Sequence, residues 1–214
     1  MSKIVSTGSY LPANIVTNAE LVEQASIDSS DEWISQRTGI KQRHFASEDE
    51  SLAQIAGKAA EKALEKYGHD VRDEINLIVL ATMSSHNPTP AVASQVQAIL
   101  GVKETWAFDI SGACAGFVMA AEVAEKISRD YTSGYTLVIG AEKMSSILDF
   151  NDRSTAILFG DGAGAVLIQN DGEGLPDYRS ELKSIPDEKD SIVVDPDSDE
   201  SDKMAMSGRD VFNF

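Results

Sequence analysis

One cysteine, Cys114, stands in 214 residues, so no disulfide can form within the chain. Basic residues are also scarce. Eighteen lysines and arginines face 35 aspartates and glutamates, for a net charge of −17. A surface of that sign repels nucleic acid and anionic membrane, and solubility is its simplest use. No apolar run is long enough to span a bilayer. The first eight residues lack the basic start and apolar stretch of a signal peptide. The three histidines, His44, His69 and His86, form no pair at metal-ligand spacing, and a lone cysteine excludes a zinc knuckle. These absences lead us to expect a soluble, cytoplasmic protein without a bound metal. What is present is a chain that is 42% hydrophobic, enough for a globular domain with a real core.

Strand-like and helix-like segments alternate. Residues 3–7 read as a short strand. Three capping-box patterns follow, at 17–20, 29–32 and 47–50, each predicting a helix start. The third opens a longer helix, with apolar Leu52, Ile55, Ala56, Ala59, Ala63, Leu64 and Tyr67 at helical spacing and Gly68 as its stop. Residues 75–82 are a nearly continuous apolar run, short enough for a buried strand. Thr89 and Pro90 read as a cap and a first-turn proline before a helix over 91–100. Strands over 106–110 and 135–141 flank a helix over 115–128. Residues 156–159 and 163–169 read as two strands around a tight Gly-Asp-Gly turn at 160–162, which lacks the Lys-Ser/Thr of a phosphate loop. The order, βα repeated and then ββ, argues an α/β sheet covered by helices. Residues 171–202 turn acidic and irregular, either a lid or a mobile connector, with a strand-like stretch at 191–194. From Met204 the chain becomes apolar again and reads as the start of a helix.

Cys114 falls in the turn between the strand at 106–110 and the helix that follows. A side chain there stands at a helix N-terminus, whose partial positive charge favours a thiolate. Free backbone N–H groups nearby are suited to an oxyanion. Together these are what a cysteine nucleophile needs for acyl transfer. The helix start is small or apolar on every face through 113–121, which predicts burial and places the cysteine at the bottom of a cavity. Spacing alone leaves a buried structural cysteine as an equal reading. A dyad with His86 has no positive support.

The runs SDEWI at 30–34, RTGI at 37–40, AFDI at 107–110, ACAGF at 113–117 and FGDGAGA at 159–165 follow one another in a telling order. With them the chain resembles the 3-oxoacyl-[acyl-carrier-protein] synthase III family of the thiolase-like superfamily, from about residue 4 to 212. The resemblance implies a thiolase-like α/β fold, in which a βαβαβαββ unit is duplicated into an α-β-α-β-α layered whole. This chain would supply the N-terminal unit. Residues 1–170 would form the nucleophile-bearing half, and 171–214 an acidic loop or cap leading to a C-terminal half. The resemblance further implies that Cys114 takes the acyl group of an acyl-coenzyme A. The acyl-enzyme then condenses with malonyl-acyl-carrier protein, and loss of carbon dioxide drives carbon–carbon bond formation in fatty acid synthesis. Trp33 and Arg153 match the pair that sandwiches the coenzyme A adenine, and Arg37 a residue near its phosphates. Thr89 matches the gate of the neighbouring subunit's acyl pocket in a homodimer. Threonine at that gate implies a pocket that tolerates longer or branched acyl chains. Coenzyme A enters as substrate, and no tightly bound cofactor is implied.

One departure qualifies this. The family's histidine and asparagine partners of the cysteine lie in HQAN and GNT runs, and neither run occurs in these 214 residues. The expectation is therefore a fragment, a truncated product or one of two pieces, inactive in condensation alone. Two alternatives stand beside it. One is a related thiolase-like acyltransferase of the polyketide-starter or quinolone type, and the other a catalytically dead half serving as an interaction module.

Overall fold

Helices and strands are interspersed along the chain. The structure, a computed structural model, describes residues 3–85, 87–171, 178–186, 188, 191–194 and 203–206. In order come strands β1 (Lys3–Tyr10) and β2 (Asn14–Thr17), helices α1 (Asn18–Ala25) and α2 (Asp31–Thr38), strand β3 (Gln42–Phe45) and helix α3 (Leu52–Tyr67). Strand β4 (Ile75–Ala81), helix α4 (Val92–Leu100), strand β5 (Trp106–Ile110), helix α5 (Gly116–Ser128) and strand β6 (Tyr135–Lys143) follow. The short helix α6 (Arg153–Ala156) precedes strands β7 (Asp161–Gln169), β8 (Ile192–Val194) and β9 (Met204–Met206). These elements divide into two units. The first holds residues 1–12, 47–143 and 162–182, and the second 13–46, 144–161 and 183–214.

The first unit is a five-stranded sheet in the order β1-β7-β6-β4-β5. β4 runs parallel to both β5 and β6, and β1 lies antiparallel to β7. The continuous apolar run in β4 follows from its central place, because both of its faces are covered. Ile78 and Leu80 join the core under α3 and α4, while Leu77, Val79 and Ala81 pack with Ala120 and Ala124 of α5. That alternation is the two-residue period of a strand. α3 presents Ala53, Ala56, Ala59, Ala60 and Ala63 to the sheet, all buried. Gly68 ends α3 at φ 82°, a left-handed conformation that costs glycine little.

The second unit packs Val16, Leu21, Ile27, Ile34, Phe45 and Ile157 around the antiparallel pair β2–β3. Buried Arg43 donates from Nη2 to Asn18 Oδ1 at 2.7 Å and to the Ile157 carbonyl at 3.2 Å. The capping box at 17–20 forms as read, with Thr17 and Glu20 bonded reciprocally.

Several local expectations need correction. The second helix is capped one residue later, by Ser30 accepting from Trp33 N, without a reciprocal carboxylate. The third box lies at Ser51 and Gln54, not at 47–50, and the helix begins at Leu52. Thr89 does not cap α4, whose N-cap is Ala91 with no side-chain bond of its own. No strand covers 156–159. Asp152 accepts from Ser154 N at 2.8 Å and starts α6 there, so Ala156 and Ile157 are buried by a helical turn. β7 therefore has no hairpin partner and pairs with β1 instead. Residues 204–206 form β9, antiparallel to β8, rather than the start of a helix. Residues 207–214 lie outside the described residues, as do His86 and much of 171–202.

Candidate active site

In the first unit, β5 delivers the cysteine. The strand ends at Ile110, and a single 3₁₀ turn over Ala113–Ala115 leads into α5. Ala113 sits at φ 45°, in the left-handed region, which marks this turn as tightly constrained. Two glycines make room for it. A Cβ on Gly112 would stand 2.5 Å from Met119 Sδ and 3.1 Å from Gly116 Cα, and one on Gly116 would stand 3.3 Å from Ala81 Cβ. The turn is thus pressed onto the end of β4.

Cys114 itself is exposed, which corrects the expectation of a buried floor. Within 113–121 only Gly116 and Ala120 are buried, while Phe117 and Val118 are 40% and 54% exposed. The start of α5 is small or apolar through Ala121 but covered on one side only. Beside its uncovered flank lies an open cleft of about 440 Å³, lined by Gly8, Phe117, Gly140, Gly164, Ala165 and Val166. A helix start of this composition needs cover on both flanks, and the described residues supply one.

Two carboxylates that the sequence reading passed over organise the neighbouring 82–91 crossover. Asp109 Oδ2 accepts from Val92 N at 2.7 Å and its Oδ1 from Ala93 N at 2.8 Å, so Asp109 caps α4 from β5. Glu142, near the end of β6, accepts from Met83 N at 2.9 Å, Ser84 N at 3.0 Å, Thr82 Oγ1 at 3.0 Å and the Ser84 hydroxyl. The sequence carried one signal of this, an aspartate inside an otherwise apolar strand. Thr89 is exposed on the crossover, and its bond to Pro90 is cis.

In the second unit, three residues named for coenzyme A come together. Trp33 is half-buried in the first turn of α2, and Arg37 follows one turn later on the same helix face. The Arg37 guanidinium carbon lies 4.4 Å from the Trp33 ring centroid, and that of Arg153 lies 4.7 Å from it. Arg153 Nη1 also donates to the Asp28 carbonyl at 2.7 Å. Cations that close to an indole face are attracted by its quadrupole, and the same planes suit a flat heteroaromatic base. The glycine-rich run at 159–165 does a different job. Asp161 accepts from Ala46 N, Ser145 N and Ser145 Oγ at 2.6–2.8 Å, so it clasps the second unit together. His44 is half-buried in β3, His69 is exposed beside Tyr67, and no group of side chains among the described residues could hold a metal ion.

These features agree with what the chain is similar to. The family profile described as 3-Oxoacyl-[acyl-carrier-protein (ACP)] synthase III matches residues 108–184. The beta-ketoacyl-[acyl-carrier-protein] synthase III 1 of Vibrio parahaemolyticus is 51% identical over 167 residues, 78% of this chain and 52% of the relative. Among solved structures, the synthase III of Thermus thermophilus superposes with a TM-score of 0.82 at 34% identity, covering 98% of this chain and 66% of that one. The priming beta-ketosynthase of the R1128 polyketide pathway gives 0.75 at 37% identity, covering 81% and 51%. The chain spans about half the length of the curated relatives it matches. It has their α/β thiolase-like architecture and belongs to the 3-oxoacyl-[acyl-carrier-protein] synthase III family.

Proposed function

We propose that this chain carries the acyl-accepting part of an initiating condensing enzyme of fatty acid synthesis. The Cys114 thiolate attacks the thioester carbonyl of an acyl-coenzyme A, and coenzyme A leaves as its thiolate. Malonyl-acyl-carrier protein then loses carbon dioxide. The carbon so freed attacks the acyl-Cys114 carbonyl, which releases the cysteine and gives 3-oxoacyl-acyl-carrier protein. The observation that carries the reading is the exposed placement of the sole cysteine in the constrained turn between β5 and α5. Its test is the intact mass of the protein after exposure to acetyl-coenzyme A, with one added acetyl group on Cys114 as the expected result. Condensation also needs the family's histidine and asparagine, whose motifs this chain lacks, so the 214 residues alone acylate but do not condense. In this reading residues 1–170 are the nucleophile-bearing half and 171–214 lead toward the rest. The enzyme acts in the cytoplasm, consistent with the lack of any membrane-length apolar helix among the described residues, and uses no resident cofactor. The similarity to a priming ketosynthase favours a second reading, a polyketide-starter acyltransferase using the same cysteine.

Trp33 and Arg153 hold the coenzyme A adenine between them once Arg153, whose guanidinium carbon lies 4.7 Å from the indole centroid, draws back to admit the base, and Arg37 meets its phosphates; the gathering of both arginines around one indole supports this. Stacking of a base on an aromatic ring contributes about 1–3 kcal/mol. Trp33→Ala is therefore expected to weaken coenzyme A binding by roughly 5- to 150-fold in calorimetric titration. Equal affinity in wild type and variant would remove Trp33 from the site.

The working form is a homodimer, with the 88–90 segment and Thr89 at its interface. β5 supports this, because it is an edge strand of the five-stranded sheet and carries Trp106 56% exposed. An exposed edge with an aromatic residue is a template for a second copy. Trp106→Lys is expected to shift sedimentation toward the monomer, and an unchanged dimer would place the interface elsewhere.

A further inference from the structure

We infer that Ser128, Thr136 and Asn170 are positioning residues, a buried latch that fixes how far α5 is set along the sheet and so holds the Cys114 turn in its working place. The inference rests on the reading of Cys114 as the acyl acceptor. It begins with the face that α5 turns to the sheet. Gly116, Ala120, Ala124 and Ser128 recur at four-residue intervals, all buried, and form one ridge. Ala120 and Ala124 pack with Leu77, Val79 and Ala81 of β4 and Val138 of β6. Side chains that small let the helix lie close. They give it little to catch on along its axis, because apolar contact has no preferred direction.

The last rung of the ridge differs. Ser128 Oγ lies 2.9 Å from Thr136 Oγ1 in β6. Asn170, just past the end of β7, faces that Thr136 hydroxyl with its whole amide, Nδ2 at 3.0 Å and Oδ1 at 3.2 Å. Asn170 Nδ2 also donates to Asn76 Oδ1 in β4 at 3.3 Å, and its main-chain N–H to the Gly134 carbonyl at 2.8 Å. Gly134, at φ 95°, makes room for Asn76, since a Cβ there would stand 2.1 Å from Asn76 Oδ1. Ser128, Thr136 and Asn170 are at most 3% exposed, so a bond broken here has little water to replace it. A hydroxyl–hydroxyl bond has a narrow range of lengths, so this contact, unlike the ridge, specifies one axial setting.

That setting reaches the nucleophile because the cysteine turn is pressed against the other end of the same helix, about 20 Å away. Gly112 and Gly116 flank Cys114 two residues to either side. The first is crowded by Met119 Sδ of α5 and the second by Ala81 Cβ of β4. Phe117, in the first turn of α5, lies over Gly140 of β6, where a Cβ would stand 3.2 Å from its Cδ2. A slide of α5 drives Met119 into Gly112 or draws it away, and the thiol moves with the turn. The latch stands a helix length from the thiol, so its role is positional.

The test measures single-turnover acylation of Cys114 by acetyl-coenzyme A in wild type, Ser128→Ala, Thr136→Val, Thr136→Ser and Ile139→Val. Ser128→Ala frees the helix and leaves the bonds between β6 and Asn170 in place. Thr136→Val keeps the shape and removes the hydroxyl, and Thr136→Ser keeps the hydroxyl. Ile139→Val is the control for stability, because Ile139 is buried on the opposite face of β6, in the core under α3 and α4. Misplacement by about 1 Å can cost about 10²-fold in rate, so a slide of a few tenths of an ångström is expected to lower the maximal acylation rate of Ser128→Ala and Thr136→Val by about 3-fold or more. The acetyl-coenzyme A concentration giving half that rate should not change, because Trp33, Arg37 and Arg153 are untouched. Thr136→Ser should stay near the wild-type rate, and Ile139→Val should lose melting temperature but keep its rate. Amide exchange should rise over residues 117–120 in Ser128→Ala, at the end of α5 remote from the substitution. A Ser128→Ala protein with the wild-type maximal rate overturns the inference. So does a Thr136→Ser protein as slow as Thr136→Val, or an Ile139→Val protein as slow as Ser128→Ala. If Thr136→Val fails to fold, Ser128→Ala and Ile139→Val still decide the question. Alkylation of Cys114 by iodoacetamide is measured on the same proteins and needs no coenzyme A. Should acetyl-coenzyme A fail to acylate even the wild type, the functional reading fails by itself. An alkylation rate changed in Ser128→Ala but not in Ile139→Val then supports the latch, and any other pattern overturns it.

Discussion

Cys114→Ala is expected to gain no acetyl group under conditions in which the wild-type chain gains one. Because Cys114 is the only cysteine, the comparison is free of competing thiols, and a thiol assay should read one group in the wild type and none in the variant. Alanine removes the nucleophile while leaving the backbone of the turn intact. Deletion of a covalent nucleophile in other acyl-transfer enzymes lowers turnover on the order of 10⁶-fold, so loss of the adduct should be complete on any practical time scale. Cys114 is exposed and contributes little burial, so the variant should melt near the wild type. That separates a chemical loss from a folding loss. A Cys114→Ala protein acylated at the wild-type rate would move the acyl acceptor to another side chain and end the condensing-enzyme reading of this turn.

How much of this was legible in the sequence depends on how far apart the interacting residues lie. The box at Thr17 and Glu20 was readable because both partners are local. The stop at Gly68 was readable for the same reason. The strand at β4 declared itself by an apolar run that only a doubly covered strand needs. The cap of α4 did not, because its acceptor stands on β5, and the local Thr89 offered a plausible substitute. Ile157, Leu158 and Phe159 read as a strand because a short apolar run has no period of its own. Asp152 decides the matter by capping a helical turn just upstream. At the candidate site, Arg37 was recoverable as a neighbour of Trp33 one helical turn away. Arg153 was recoverable only through the family resemblance. The exposure of Cys114 was misjudged because a pattern shows that a helix wants cover, not what supplies it.

Gly8→Ala is expected to cause a large loss of stability in the first unit. Among the described glycines, Gly8 brings a Cβ closest to backbone, where β1 crosses α3. A Cβ on Gly8 would stand 2.2 Å from the Ala59 carbonyl oxygen, 2.4 Å from Ala63 N and 3.0 Å from Lys62 C. All three are main-chain atoms inside a helix capped at both ends, so no side chain can rotate away. The buried alanines at 53, 56, 59, 60 and 63 are what allow the helix to lie so close. Relief would have to come from β1, yet β1 is paired with β7 from Lys3 to Tyr10. Overpacking of this kind costs typically 1–3 kcal/mol, and a clash with fixed backbone belongs at the upper end, about 3 kcal/mol. For a chain of this size each kcal/mol moves the melting midpoint by about 2–4 °C, so a fall of roughly 6–12 °C is expected. The control lies on the same ladder. Gly164 pairs with Ser9, and Gly8 with Ala165, but a Cβ on Gly164 meets nothing within 4 Å. Without a clash, alanine in place of glycine reduces the freedom of the unfolded chain and stabilises by about 0.4–1 kcal/mol. Gly164→Ala should therefore melt at or slightly above the wild type. The two substitutions add the same methyl group to adjoining strands and are expected to differ in sign. A Gly8→Ala protein that melts with Gly164→Ala would show that β1 and α3 do not approach as closely as this packing requires.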